Sequence, residues 1–205
     1  MYNNAFHKSI EECELEPAKN LAQYITTFIK PAAFLDFGCS TGLYLREIKA
    51  RMPTIPSHGF EFSTDAVSRA LCADVHQTDL TYPLVSPISR TENTLGICLE
   101  VLEHIDDANW RSVLTNLISN CDILLFSAAL PGQGGTGHIN CRPRIDWIRR
   151  FHMLGWVLDI DATEHLLTEI RKGPHMGWFA QNAMIFVPST NTTPSYHYKF
   201  YGTRR

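Results

Sequence analysis

Two rhythms of apolar positions alternate along this chain. Behind Pro17, the residues Ala18, Leu21, Ala22, Ile25, Phe28 and Ile29 recur at three- and four-residue intervals. That spacing predicts an amphipathic helix over 17–29, with the proline in its first turn. Ala32 to Phe37 is a short run, apolar except for Asp36 and with glycine behind it, as in a strand buried on both faces. From Leu43 to Met52 the helical spacing returns, and Pro53 stops it. A second strand is expected at 58–62, then a helix capped by Ser63 with Ala66, Val67, Ala70 and Leu71 inward, then a weak third strand at 73–76. Thr94 to Leu99 predicts a fourth strand, followed by a helix over 107–119 with Trp110, Val113, Leu114 and Leu117 on one side. Ile123 to Ala128 predicts a fifth, which opens into PGQGGTGHIN, too glycine-rich for regular structure. Beyond it are expected a helix from Pro143 with Ile145, Ile148 and Phe151 inward, a sixth strand at 156–160, a short helix at 163–170 and a seventh strand at 183–187.

Strands and helices that alternate in this way predict an α/β, Rossmann-like fold, a mainly parallel seven-stranded sheet with helices on both faces. Residues 1–188 are expected to form a single domain with an N-terminal helix, and 189–205 a polar C-terminal tail.

Composition narrows the function more than the fold. A net charge of −3 and a pI near 6.3 argue against a protein built to neutralise phosphates along a duplex. No run of about 18 apolar residues is present, and the opening MYNNAFHKSIEECELEP has no apolar core behind a basic start. A cytoplasmic protein with no membrane partner is therefore expected. Cys13, Cys39, Cys72, Cys98, Cys121 and Cys141 are widely spaced with no C-x-x-C, so reduced thiols are expected and no metal site is read from them.

The chemistry begins in FLDFGCSTGL. In an open α/β sheet ligands bind beyond the carboxyl ends of the strands, where strand order reverses, and Asp36 to Gly42 stands at that end of the first strand. A dinucleotide fingerprint would need glycine at the positions of Gly38, Ser40 and Leu43. Only the first matches. An acid just ahead of the turn repels phosphate, whereas it accepts hydrogen bonds from an ammonium group.

The stretch Asp36-Phe37-Gly38-Cys39-Ser40-Thr41-Gly42 resembles motif I, D-x-G-C-G-x-G, of the class I S-adenosylmethionine-dependent methyltransferases, with Ser40 replacing the middle glycine. Further stations of that family follow in order: GFEFS with Glu61, HQTDL with Asp79, and GICLEVLEHID, whose E-V-L-E-H is the most specific stretch. The resemblance covers about residues 20–187. It implies S-adenosyl-L-methionine as cofactor, held by Asp36, Gly38, Cys39, Ser40 and Gly42 at the turn. It further implies Glu61 on the ribose hydroxyls with Phe62 beside it, Asp79 and Leu80 at the adenine, and Leu99 and Glu100 at the methionine end.

Methyl transfer from a sulfonium needs alignment of nucleophile and methyl more than covalent help. A general base enters when the acceptor is a hydroxyl or a protonated amine. The candidates are His138, His104 and Glu100, with Asn140 as an orienting group beside His138. Arg142, Arg144, Arg149 and Arg150 suit either an anionic acceptor or a solvated helix face, and GPHMGWF, with His175, Met176 and Trp178, suits either a lid or core packing. The leading expectation is methyl transfer to a small-molecule or saccharide-like acceptor, at oxygen. The alternatives are an RNA methyltransferase, favoured by the basic and aromatic tail from Tyr196 to Arg205, and a catalytically silent S-adenosylmethionine-binding regulator.

Overall fold

The computed structural model of the chain describes residues 4–88 and 93–191. Its elements are α1 (Asn4–Tyr24), which runs on into a π-helical turn at Ile25–Ile29, then β1 (Ala33–Phe37), α2 (Leu43–Arg51), β2 (Ser57–Glu61), α3 (Thr64–Ser68) and β3 (Val75–Gln77). They continue with β4 (Thr94–Leu99), α4 (Trp110–Asn120), β5 (Ile123–Ser127), α5 (Arg144–Met153), β6 (Trp156–Leu158), α6 (Ile160–Ile170), α7 (Gly177–Asn182) and β7 (Met184–Pro188). One sheet in the order β3-β2-β1-β4-β5-β7-β6 contains all seven strands. β7 is antiparallel to both β5 and β6, and the other neighbours are parallel.

Each central strand alternates between two buried faces. Phe34, Leu95, Ile97 and Leu125 pack beneath α1, α2 and α6. Leu35, Phe37, Cys98, Leu124 and Phe126 pack against α4 and α5. Strand order reverses between β1 and β4, with Asp36 in register with Gly59 on one side and Ile97 on the other. The expected fold is therefore the observed one, and its strand-order switch point lies at the carboxyl tips of β1 and β4.

The structure corrects several local expectations. Helix α1 begins at Asn4, thirteen residues ahead of Pro17, which lies inside it. Glu11 and Glu14 continue the inward 3-4 spacing of Ala18, Leu21 and Ile25, but as acids they leave no apolar periodicity to read. Ile145 faces outward at 49% exposure while Trp147 is fully buried, so the inward stripe of α5 is Trp147 and Phe151 with Ile148 partly covered. Strand β6 stops at Leu158, because Asp159 caps α6 by accepting from the Ala162 amide at 2.9 Å. GPHMGWF leads into α7, which places Phe179 in the core. The six cysteines are free thiols, three of them buried. No described helix is long and apolar enough to cross a membrane. The tail beyond Asn191, with its aromatic and basic residues, lies outside the described residues.

Candidate active site

The carboxyl tips of β1 to β5, all parallel, lie along one edge of the sheet. Asp36, next to last in β1, is 3% exposed, and its Oδ2 has no hydrogen-bond partner. Burial first, then the charges of Glu61 and Glu14, push its pKa up to about 8. Glu14 reaches in from α1. Burial pushes it up to about 7 against a hydrogen bond with Tyr44, and the charge of Glu100 adds to the rise.

Past Asp36 the chain turns through three residues of positive φ: Gly38 at 78°, Ser40 at 50° and Gly42 at 80°. A Cβ on Gly38 would lie 2.4 Å from Cγ2 of Val101, so this position admits no side chain. The Gly38 and Cys39 amides donate to the Phe60 carbonyl at 2.7 and 3.1 Å, which laces the turn to β2. Glu61 completes the lacing. Its Oε2 accepts from the Ser40 amide at 2.9 Å and its Oε1 from the Ser63 amide at 2.7 Å. Each oxygen keeps a further lone pair. Phe62, just past the strand, is 70% exposed and forms an open wall. Asp79 accepts through Oδ1 from the amide and hydroxyl of Thr81 at 2.9 and 2.7 Å, while Leu80 beside it is buried.

The tip of β4 carries a second cluster. Glu100 follows partly exposed Leu99 at a strained φ of 53°. Its carboxylate accepts from Gln133 at 2.8 Å and from Asn182 at 3.1 and 3.2 Å, and Asn182 also donates to the Gln133 amide oxygen at 2.9 Å. These amides join β4, the loop after β5 and α7. A carboxylate so engaged holds the loop in place. Glu103 is fully buried, and neither carboxylate oxygen makes a hydrogen bond of good geometry. Burial, then Glu100, push its pKa up to about 8; the nearby backbone amides of Glu103 and Ala129 ease this only in part.

His104 and His138 meet edge to face, with ring centroids 4.9 Å apart. His104 Nδ1 is 3.2 Å from the Gly137 carbonyl, and His138 Nδ1 is 3.2 Å from that of Gln133. A carbonyl only accepts, so both Nδ1 atoms carry hydrogen, and in the neutral ring the lone pair is on Nε2. Burial, with His138 also acting against it, holds the His104 pKa below the ordinary histidine value. Gly135 makes room for the His138 ring, since a Cβ there would lie 2.1 Å from Nε2.

Asn140 does not orient His138. It is buried, donates to the Leu102 carbonyl at 3.4 Å and accepts from Arg142 at 2.7 Å, fastening the glycine-rich loop to the chain after β4. The arginines also stand elsewhere. Arg142 and Arg150 both pair with Asp107, at 2.7 and 2.6 Å, and Arg150 lies over the rings of Trp110 and Trp147. Arg144 reaches the Gln181 and Ala183 carbonyls, and Arg149 is solvated. An open cleft of about 580 Å³ lies beside the Glu100 cluster, lined by Leu130 to Gly134 of the loop and by Gly177, Trp178 and Gln181 of α7.

Sequence reasoning missed Glu14, Glu103, Gln133 and Asn182 as parts of this site. Only Glu103 carried a signal, its place in the E-V-L-E-H stretch.

The fold is similar to those of solved methyltransferase structures. DesVI of Streptomyces venezuelae superposes with a TM-score of 0.65 at 11% identity, over 92% of this chain and 99% of that one. The sugar N-methyltransferase KedS8 from Streptoalloteichus superposes at 0.63 and 12% identity, over 91% and 92%. An O-methyltransferase from a trans-AT PKS multienzyme of Brevibacillus brevis, in complex with S-adenosyl-L-homocysteine, superposes at 0.60 and 13% identity, over 96% and 80%. No protein-family model matches the chain, and no curated protein sequence matches it.

Proposed function

We propose that this protein transfers a methyl group from S-adenosyl-L-methionine to a small-molecule acceptor, at oxygen. One observation carries the reading. Asp36 is a buried carboxylate with an unpartnered oxygen at the strand-order switch point, and the groups that act on it are two more acids. A nucleotide phosphate is repelled there, while the cationic ammonium and sulfonium of S-adenosylmethionine relieve the crowding of charge.

The residues fit that group. Asp36 would accept from its ammonium, and the turn from Gly38 through Cys39 and Ser40 to Gly42 lets it approach the backbone. The spare lone pairs of Glu61 suit two ribose hydroxyls, Asp79 Oδ2 suits an adenine amino group, and Phe62 and Leu80 supply apolar walls. Leu99 and Glu100 close the methionine end. When bound, the cofactor supplies a methyl on a sulfonium, which leaves as its carbon–sulfur bond breaks and the pair returns to sulfur. The chain's own work is to align the acceptor and to manage its proton. The Nε2 atoms of His104 and His138 would do the latter. The open cleft between the glycine-rich loop and α7 has room for a saccharide-sized acceptor.

With Arg142 and Arg150 committed to Asp107, the support those two lent to an anionic or nucleic-acid acceptor is removed. A neutral, hydroxyl-bearing acceptor fits the acidic site better. Calorimetry with S-adenosylmethionine, S-adenosylhomocysteine and NAD tests the reading. The first two should bind and NAD should not; absence of binding by both sulfur ligands overturns it.

A further inference from the structure

The cluster at the tip of β4 is more than a pair of bases. A carboxylate oxygen of Glu103 and one ring nitrogen each from His104 and His138 lie within 4.8 Å of one another. Glu103 is fully buried with both carboxylate oxygens lacking a hydrogen bond of good geometry, and apart from two backbone amides the group beside them is the Glu100 carboxyl. The nearest charged group acting on it is a second carboxylate, Glu100, not a lysine or arginine. The two histidines donate Nδ1 hydrogens to backbone carbonyls, which is how ligating imidazoles are usually oriented, with Nε2 turned to the ion. Sequence spacing hides this set, because Glu103 and His104 are adjacent and His138 arrives from the loop after β5.

The geometry points to a divalent-cation site formed by Glu103, His104 and His138, with Glu100 beside it. Two imidazoles and a carboxylate suit a borderline first-row ion such as Mn2+ or Zn2+ better than Mg2+, which prefers oxygen ligands and keeps its waters. The site adjoins the acceptor cleft through Gln133, whose carbonyl meets His138 and which is among the residues lining the cleft. This deepens the proposed function on its acceptor side. An acceptor hydroxyl coordinated to such an ion would give up its proton to solvent more readily, and the preference for an oxygen nucleophile would follow. The binding itself is measured without an acceptor.

The test uses the full chain stripped with a chelator, then titrated with MnCl2, ZnCl2 and MgCl2 by calorimetry, with free Mn2+ also followed by electron paramagnetic resonance. The expected result is one saturable site per chain for Mn2+ or Zn2+, with Mg2+ weaker. Glu103→Gln, which keeps shape and removes a carboxylate ligand, should weaken the ion by at least about 10-fold, and His104→Ala with His138→Ala together should abolish the site. Asp36→Asn should leave it unchanged. Absence of saturable binding to the stripped wild type overturns the proposal, as does undiminished binding by the folded Glu103→Gln chain. S-adenosylhomocysteine binding, measured in parallel, separates the outcomes: ion binding without it sinks the methyltransferase reading alone, and the reverse sinks the ion site alone.

Discussion

Asp107 and Asp36 are the same residue in opposite circumstances. Asp107 stands at the flank of the sheet between Arg142 and Arg150, which hold its carboxyl below the usual carboxylate range. Asp36 stands at the switch point with Glu61 and Glu14, and its carboxyl is driven far up. Where the fold needs an acid for its own stability, it surrounds the acid with guanidinium groups. Where it leaves an acid buried among acids, the missing cation has to come from outside, and the switch point is therefore read as a receptor for one.

The strongest way to break this comparison is to neutralise the switch-point acid without changing its shape. Asp36→Asn should weaken S-adenosylmethionine binding by about 10- to 150-fold, the effect of losing a charged hydrogen bond of about 1.5–3 kcal/mol. The unliganded chain should melt no lower than wild type, because the amide avoids the cost of ionising a buried carboxyl as the pH rises. Unchanged affinity by calorimetry, or a sharply lowered melting temperature, would show that Asp36 serves the fold and not a ligand.

At the flank the opposite holds. Arg150→Ala removes the better buried of the two cations on Asp107 together with its stacking over Trp110 and Trp147. A loss of about 1–3 kcal/mol of stability is expected by denaturant titration, with S-adenosylmethionine affinity unaltered. A change in affinity with stability intact would place these arginines in the site after all.

pH sharpens the contrast, because the two regions respond with opposite sign. Asp36, raised from 3.8 to about 8, and Glu14, raised from 4.5 to about 7, stay protonated in the fold after the unfolded chain has released those protons. Stability they lend below pH 4 is therefore lost as pH rises towards 8. Asp107, lowered by its arginines, lends stability above its unfolded value and loses it only in acid. The unliganded chain should thus melt lower at pH 8.5 than at pH 6, and Asp36→Asn should flatten that slope. Equal melting temperatures at the two pH values in the wild type would show that these acids are not buried as described.

How much of this was legible in the sequence follows from the same physics. Strands β1, β4 and β5 announced themselves because burial on both faces leaves an unbroken apolar run. The acids of Asp36, Glu61 and Asp79 were legible because each follows such a run at a glycine or turn. Helix α1 upstream of Pro17 was not, since its inward positions are Glu11 and Glu14, and an inward acid looks like a solvated one until its neighbours are known. The partners of Glu100 were hidden for a related reason. Gln133 and Asn182, which occupy its carboxylate, lie 33 and 82 residues away, and nothing local marks them as its partners. The arginine cluster was equally ambiguous, because its counter-charge, Asp107, precedes it by more than thirty residues.

The smallest effect is expected at Ser40, where the chain departs from the glycine of the motif. Its φ of 50° lies in the left-handed region, which costs a residue with a Cβ about 1–2 kcal/mol. Its amide is nevertheless held by Glu61 at 2.9 Å, and that contact needs the backbone alone. Ser40→Gly should therefore relieve the strain, offset in part by the greater freedom of glycine in the unfolded chain. The net expectation is a gain of under about 1 kcal/mol in denaturant titration, with S-adenosylmethionine affinity held within about twofold because the backbone grip on Glu61 survives. A large loss of affinity would mean that the serine hydroxyl itself touches the ligand, and the turn would then be a site tuned by its departure from the motif.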